Sequence, residues 1–598
     1  MWQRILYLLK TYVLTVCLFV GAKVAFMLCN GQGHPFAPGD VMQVIWHGIT
    51  LDLSTALYFL ILPFLVVVVS IFWSKAKVLG AVLKAYFAIV SVALALAFVA
   101  DTSLYPFWQF KLDATCLQYL ETPTEAMASV SVGYLICRLL LIVALAVLFY
   151  WAFSQVKWVP SKSRRPVMEL IAAMLLVPVF FIGIRGGVGE STTNIGQVYY
   201  SQNQFLNHSA VNPVFSFLAS FEKTASEDIT YQFYTGEEME QLTASLYPTT
   251  GNSTDTLLTT RRPNVVIILL ESCGKMFLEV MPNLRKAAAE GVDFTNCYGN
   301  SYRTDRGTVS TLSGYLSFPT MSVMKMSSKV ENLPAIARSL RREGYTTEYL
   351  YGGDINFTKM KGYLISTGFQ QLCWKEDYTP QEQQTAKWGV RDDITFKTLS
   401  KMIRRHTDGQ PFLIGYSTLS SHEPWDVPTE VLDDKVYNAF NYLDQCIGMF
   451  IDGLKERPEW DNLLVIILPD HGYRYKGIDE TTRLYNHIPM LWTGGAIRRP
   501  RKIEAVCNQT DLAATLLGQM GIDHSGFTFS RDVTSSNYQK PFAYHTFNNG
   551  VTIIDSLGFM AYDLDAEKVI ASEGEDAEGR LQRARALLQL TSSDLIGK

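Results

Sequence analysis

Five apolar stretches crowd the start of the chain, near 5–28, 52–73, 79–100, 132–153 and 167–185. Each supplies about the 20 residues needed to cross a bilayer. Only helices or closed barrels satisfy their backbone in lipid, so runs of this length predict a five-helix membrane domain over 1–185. The chain is 48% hydrophobic and 18% charged, below the roughly 25% charge of ordinary soluble domains. The apolar excess sits in this first part, and the remainder has the composition of a soluble α/β protein. The first stretch is read as an uncleaved helix, because its apolar run is long and no small-residue cleavage site follows it. Cys29, after Phe26-Met27-Leu28, makes a poor lipoprotein site.

Basic residues in the short loops orient the spans. Arg4 and Lys10 flank the first, Lys75 and Lys77 separate the second and third, and Lys157, Lys162, Arg164 and Arg165 separate the fourth and fifth. With five spans these regions share one side, the cytoplasmic one. Everything after span five is then external, which predicts a bacterial cytoplasmic (inner) membrane protein with an extracytoplasmic, periplasmic-side domain. Asp52 and Asp101 sit at span ends. Asp101 is expected to be interfacial and solvated, while His47 and Asp52 are open between that reading and a functional one. A net charge of −4 with no basic block gives no footprint for nucleic acid. Nine cysteines include no CxxC, which leaves zinc-ribbon and thioredoxin-like readings unsupported. Spacing does not establish any pairing among them.

Residues 186–262 read as a juxtamembrane connector and polar linker, with an amphipathic helix over 209–222. From 263 to 598 strand and helix patterns alternate. Strands are expected at 264–270, 292–296, 346–351, 411–417, 463–468 and 488–493. Helices are expected at 282–290, 332–343, 391–406, 433–455 and 509–519. Alternation of this kind predicts an α/β domain with a mainly parallel central sheet, whose ligands bind at the carboxyl ends of the strands.

Two of those strand ends carry the chemistry. NVVIILLES ends its apolar run at Glu271, and LLVIILPDHG ends in Asp470-His471. The small polar cluster around Thr304 lies between them. Carboxylates and an imidazole suit a divalent ion such as Mg²⁺, Mn²⁺ or Zn²⁺. Such an ion favours the alkoxide of a bound threonine, which can attack phosphorus while Arg303 or Arg306 neutralises phosphate charge. Taken singly, a strand-end Glu or Thr is usually a cap. Taken in this order on this fold, the set reads as one metal site. His422, after another strand, is the next candidate. His487, just before a strand, is open between core and site.

At these residues the sequence resembles the lipoteichoic acid synthase family of the alkaline phosphatase/sulfatase superfamily. The likeness rests on NVVIILLES, the RTDRG block, SSHEPW and LPDHG, with PNLRKAAAEGVDFTNCY and QTDLAATLLGQMGI beside them. It implies a membrane phosphotransferase with one divalent metal ion, commonly Mn²⁺, held by Glu271, Thr304, Asp470 and His471. A phospholipid donor would place its head group, phosphoglycerol in the family, on Thr304. An envelope glycan or glycolipid acceptor would then receive it. His422 would contact the phosphate or protonate a leaving oxygen. The sequence departs from the family at YGGDINFTKMKGY, where a His-Gly-Asp and Trp-x-Arg pattern is replaced and Asp354 alone preserves an acidic contact. Trp388 and Arg391 either line the pocket or cap a helix.

Other functions meet specific objections. No Cys/Ser-x-Pro-x-Arg motif exists for a formylglycine sulfatase, and no Asp-x-x-x-His supplies a second metal. The alternatives left open are a phosphoethanolamine transferase of the same fold, a phospholipid head-group hydrolase and a non-catalytic membrane sensor.

Overall fold

The structure is a computed structural model that describes residues 2–598, other than 33–35, 74, 109–110, 113–115, 117–131, 159–161, 227–229, 248–254, 407–408 and 565. It divides into two compact units, Met1–Asp228 and Ile229–Lys598. The division falls inside the segment read as a connector.

The first unit is helical: α1 Trp2–Asn30, α2 Pro38–Phe72, α3 Ala76–Trp108, α4 Val132–Gln155, α5 Pro166–Met174, α6 Leu176–Arg185, α7 Gln204–Ala210 and α8 Pro213–Ser226. Five candidate spans are long and apolar enough to cross a membrane, the fifth running Pro166–Arg185. The second begins well before residue 52, because Pro38 at the first helical turn starts a helix that the apolar run continues. The fifth is broken between α5 and α6. Pro178 has no N–H for the carbonyl four residues back, at Met174, where α5 stops. The amphipathic segment of the connector becomes α8, displaced a few residues toward the C-terminus.

Among the described residues, buried charge in this unit is paired. Lys23 Nζ donates to Asp52 Oδ2 at 2.7 Å and to the Gly48 carbonyl at 2.7 Å, and Asn212 Nδ2 donates to Asp52 Oδ1 at 2.9 Å. All three side chains are buried. Gly48 is needed there, since a Cβ would lie 2.2 Å from Lys23 Nζ. His47 stacks on Tyr200 with ring centroids 4.2 Å apart. The expectation for Asp101 does not hold. It is buried in an ion pair with Lys111 and accepts the Leu112 amide at 3.0 Å, because the chain after α3 turns back over it.

The second unit is built on an eight-stranded sheet, ordered β10-β2-β9-β7-β1-β6-β4-β5. Its strands are β1 Asn264–Leu270, β2 Val292–Phe294, β4 Thr346–Tyr351, β5 Gln371–Trp374, β6 Phe412–Ser417, β7 Leu463–Pro469, β9 Leu491–Thr493 and β10 Arg501–Ile503. Pairing is parallel except for β9, which runs antiparallel to β2 and β7. The stretch expected as one strand at 488–493 is two. Its first part, β8 His487–Ile488, joins a three-stranded sheet with β3 Cys297–Tyr298 and β11 Cys507–Asn508. Pro489, which cannot donate to a ladder, follows directly.

The central strands are buried on both faces, as continuous apolar runs require. Alternation along β1 sends Val265, Ile267 and Leu269 to one core and Val266, Ile268 and Leu270 to the other. The second core is closed by α9 Pro282–Glu290, α12 Asp392–Arg405 and α13 Lys435–Lys455. The first is closed by α10 Thr304–Ser313, α11 Ile336–Arg342, α14 Asp511–Met520 and α15 Ala577–Gly597, with an antiparallel sheet β12-β13-β14-β15 spanning 542–574.

Candidate metal and phosphoryl-transfer centre

The register of β1 assembles the site. Leu269 lies opposite Ser417 of β6, and Leu270 lies opposite Pro469 of β7. The three strands therefore end level, and the residues that follow them meet. Glu271 N donates to Thr418 Oγ1 at 3.0 Å, Ser421 Oγ donates to the Glu271 carbonyl at 2.7 Å, and Asp470 N donates to the Leu270 carbonyl at 3.2 Å. Thr304 opens α10. Four residues into that helix, Gly307 lies against the Asp470 carbonyl, where a Cβ would come within 1.8 Å of the oxygen. This approach brings Thr304 Oγ1 to 3.3 Å from Glu271 Oε2, to which it donates.

Glu271, Asp470 and His471 present ligand atoms that all lie within 4.8 Å of one another, and all three residues are buried. Asp470 Oδ1 accepts the amides of Ser272 at 2.9 Å and His471 at 2.7 Å. Asp470 Oδ2 is buried with no hydrogen-bond partner, a state that costs about 1–3 kcal/mol or more for a charged group. His471 Nδ1 donates to the Gly472 carbonyl at 2.6 Å. Its Nε2 therefore faces the carboxylates, 3.8 Å from Glu271 Oε1 and 3.6 Å from Asp470 Oδ2. Metal–ligand bonds of about 2.0–2.2 Å on a tetrahedron separate neighbouring ligands by about 3.4 Å, close to the observed spacings. The residues present fit a divalent cation.

The electrostatics agree with that fit. Burial, followed by the Glu271 charge, pushes the Asp470 carboxyl up to about 7. Burial disfavours the His471 imidazolium, but Asp470 and Glu271 outweigh it and the ring is held above its ordinary value. Two acids and a base packed this closely favour protons between them unless a cation replaces those protons.

Two further residues shape the site, and the sequence carried little signal for either. Ser272 adopts φ 57°, a left-handed conformation uncommon for a residue with a side chain. The turn aims its N–H at Asp470, while its Oγ donates to Glu271 Oε1 at 2.7 Å and lies 3.5 Å from His471 Nε2. Asp392, at the start of α12, accepts the amides of Leu419 and Ser420 at 2.9 Å each. It thereby fixes the loop that carries His422. Burial pushes its carboxyl up to about 6 against those hydrogen bonds.

The expected substrate residues separate into two groups. His422 Nδ1 donates to the Glu423 carbonyl at 2.8 Å, so Nε2 is the nitrogen left to give or take a proton. Trp388 stands beside it at 4.8 Å between centroids and donates Nε1 to the same carbonyl at 2.7 Å. Arg303 is exposed immediately before Thr304. The others are held by neighbours. Arg306 is buried, donates to the Pro319 carbonyl at 3.0 Å and lies 4.8 Å from the Tyr302 ring centre. Asp354 closes a turn by accepting Asn356 N at 3.0 Å, and Arg391 Nε donates to Asp393 at 2.7 Å. His487 Nε2 contacts the Thr295 carbonyl at 3.0 Å and Lys275 Nζ at 3.1 Å, with the ring stacked on Tyr298. Burial, then the Lys275 charge, lowers His487 to about 4.

Residues 263–522 match the sulfatase family model, so the chain carries a sulfatase-type α/β domain after a helical unit with five candidate membrane spans. The chain is similar to phosphoglycerol transferase I of Xanthomonas axonopodis pv. citri (strain 306), with 26% identity over 43% of this chain and 40% of that protein. It is also similar to lipoteichoic acid synthase 2 of Bacillus subtilis (strain 168), with 24% identity over 46% of this chain and 48% of that one. The matches thus span two fifths to about half of these relatives. Among solved structures, a protein in the alkaline phosphatase superfamily from Vibrio parahaemolyticus superposes with a TM-score of 0.55 and 27% identity, over 62% of this chain and 98% of that one. The lipoteichoic acid synthase LtaP from Listeria monocytogenes shares the fold, with a TM-score of 0.50 and 18% identity over 61% and 98%.

Proposed function

We propose that this protein is a metal-dependent phosphotransferase of the bacterial cytoplasmic membrane, with its α/β unit on the outer side. It moves a phospholipid-derived head group, phosphoglycerol, through phospho-Thr304 to an envelope glycan or glycolipid. The observation that carries this reading is Thr304 at the first turn of α10, hydrogen-bonded to Glu271 inside the Glu271–Asp470–His471 cluster. The names of the curated relatives support the head group. The basic loops around Arg4, Lys75 and Arg165 support the orientation.

A divalent cation, Mn²⁺ by family likeness, held by Glu271, Asp470, His471 and Thr304, would lower the pKa of the Thr304 hydroxyl and offset phosphate charge. Thr304 Oγ, its proton already lost to solvent, attacks phosphorus, and the bond from phosphorus to the diacylglycerol oxygen breaks. His422 delivers a proton to that leaving oxygen through Nε2. In the second half an acceptor hydroxyl attacks phospho-Thr304, His422 takes its proton and is restored, and Thr304 leaves in the deprotonated form in which it attacked. The α10 N-terminus favours the phosphate on Thr304, and exposed Arg303 faces incoming anionic substrate.

Mass spectrometry of the protein incubated with mixed phospholipids tests this directly. A phosphoglycerol adduct on Thr304 is expected. A phosphoethanolamine adduct would replace the head group but keep the mechanism. Lipid turnover with no adduct on Thr304 would favour direct hydrolysis and overturn it.

A further inference from the structure

We propose that Cys297 and Cys507 form a disulfide that staples β3 to β11. The inference rests on the reading that the α/β unit faces the outer, oxidising side of the membrane. β3 and β11 pair in parallel with Cys297 directly opposite Cys507. Paired strands lie about 4.8 Å apart, inside the 4.4–6.8 Å range of Cα separations that disulfides span. Opposed residues of a parallel pair also project to the same face. Both side chains are fully buried in one core. The neighbouring Cys297 thiol, followed by burial, holds the Cys507 thiol well above its ordinary value. Among the described residues no other two cysteines are strand partners. Cys273 and Cys446 lie in the opposite core, and Cys273 contacts Met281 Sδ at 3.6 Å.

The position gives the bond a purpose. One residue beyond Cys507 begins a clamp on the catalytic segments. Asn508 Nδ2 donates to the Tyr298 carbonyl at 3.0 Å. Gln509 Nε2 donates to the carbonyls of Pro469 at 2.9 Å and Asp470 at 2.8 Å, and to Thr311 Oγ1 of α10 at 2.9 Å. Gln509 Oε1 accepts the Asn300 amide at 3.0 Å. A covalent link at Cys297–Cys507 fixes this clamp to the segment leading into Thr304.

The thiols are sealed in the folded unit, so oxidation belongs to folding, before β11 docks. The oxidant is a disulfide of the extracytoplasmic space, carried by a thiol–disulfide oxidoreductase or a small molecule. One cysteine thiolate attacks the donor S–S bond and releases one donor thiolate, which leaves a mixed disulfide. The second cysteine thiolate attacks the protein sulfur of that mixed disulfide and releases the other donor thiolate. The two cysteine protons end on the two donor thiols, and the donor takes up two electrons.

The test uses the full chain from membranes, with free thiols alkylated under denaturing conditions at lysis and digestion carried out without reductant. A peptide pair joined through Cys297 and Cys507, lost on adding dithiothreitol, is expected. Reduction should lower the unfolding temperature of the α/β unit by several degrees, and the Cys297→Ala/Cys507→Ala variant should show no such shift. Protease accessibility of the α/β unit in intact spheroplasts is measured in parallel. Alkylated Cys297 and Cys507 in a unit cleaved from outside would overturn the disulfide and leave the outward-facing reading standing. Alkylated cysteines in a protected unit would overturn the outward-facing reading, and the disulfide with it.

Discussion

Thr304 is a poor nucleophile by itself, and what the fold does for it is local. Its hydroxyl is held against Glu271, and its helix is seated on Asp470 through the missing side chain of Gly307. Thr304→Ala should lower transfer by on the order of 10³-fold or more in a head-group transfer assay, with Thr304→Ser recovering part of the rate. Gly307→Ala removes no reacting group but forces Asp470 and α10 apart. It should destabilise the unit by about 1–3 kcal/mol and reduce turnover, read by denaturant unfolding alongside the assay. His487 supplies a pH signature. Its folded value is about 4, against about 6.5 unfolded. The unfolded chain therefore gains a proton first as pH falls. His487 favours the fold fully above about pH 6.5, and that contribution is lost progressively toward pH 4, to a limit of about 3 kcal/mol. His487→Gln should flatten this part of the stability–pH curve.

At the level of elements, the central strands are the most readable part. The expected strand at 264–270 coincides with β1, a continuous apolar run as burial on both faces requires, and that at 346–351 coincides with β4, whose TTEYLY is read from its β-branched and aromatic residues. The acids were legible for the same reason, since Glu271 and Asp470 are where those runs stop. The helix holding Thr304 was not legible. TDRGTVSTLS is small, polar and weak in helix propensity, and only its burial between β7 and α14 makes it helical. Ser272 and Asp392 were equally hidden. Their roles depend on a left-handed turn and on two amides of a distant loop, neither of which a local pattern encodes. The sheet over 542–574 and α15 carried no catalytic motif to draw attention. Gln509 joins several of these elements with one side chain. Gln509→Ala should leave the Asn300 amide and the Pro469 and Asp470 carbonyls short of a partner, lowering stability by about 2–4 kcal/mol. Thr304 should then lose alignment even where the protein remains folded, which a transfer assay below the unfolding temperature would read.

At the scale of the whole molecule, two units with different solvents occupy one chain. In the helical unit, the Lys23–Asp52–Asn212 group is the clearest departure from apolar packing. Lys23→Ala alone leaves Asp52 buried without its counter-charge and should destabilise this unit by about 3–5 kcal/mol, whereas Lys23→Ala/Asp52→Ala should recover much of that loss. Thermal unfolding in detergent, compared across the two single variants and the double, checks the sign of the coupling.

The strand order carries a further consequence for how such a protein is made. β1 reaches its place only when β6 and β7, from far downstream, close on either side of it. Glu271 and Thr304 therefore leave the ribosome long before Asp470 and His471. The centre is a late event in synthesis, and a nascent chain that stops short of Pro469 should hold no cation. On the proposed reading, the membrane meets no complete head-group-transferring centre until well over half of the α/β unit has been made.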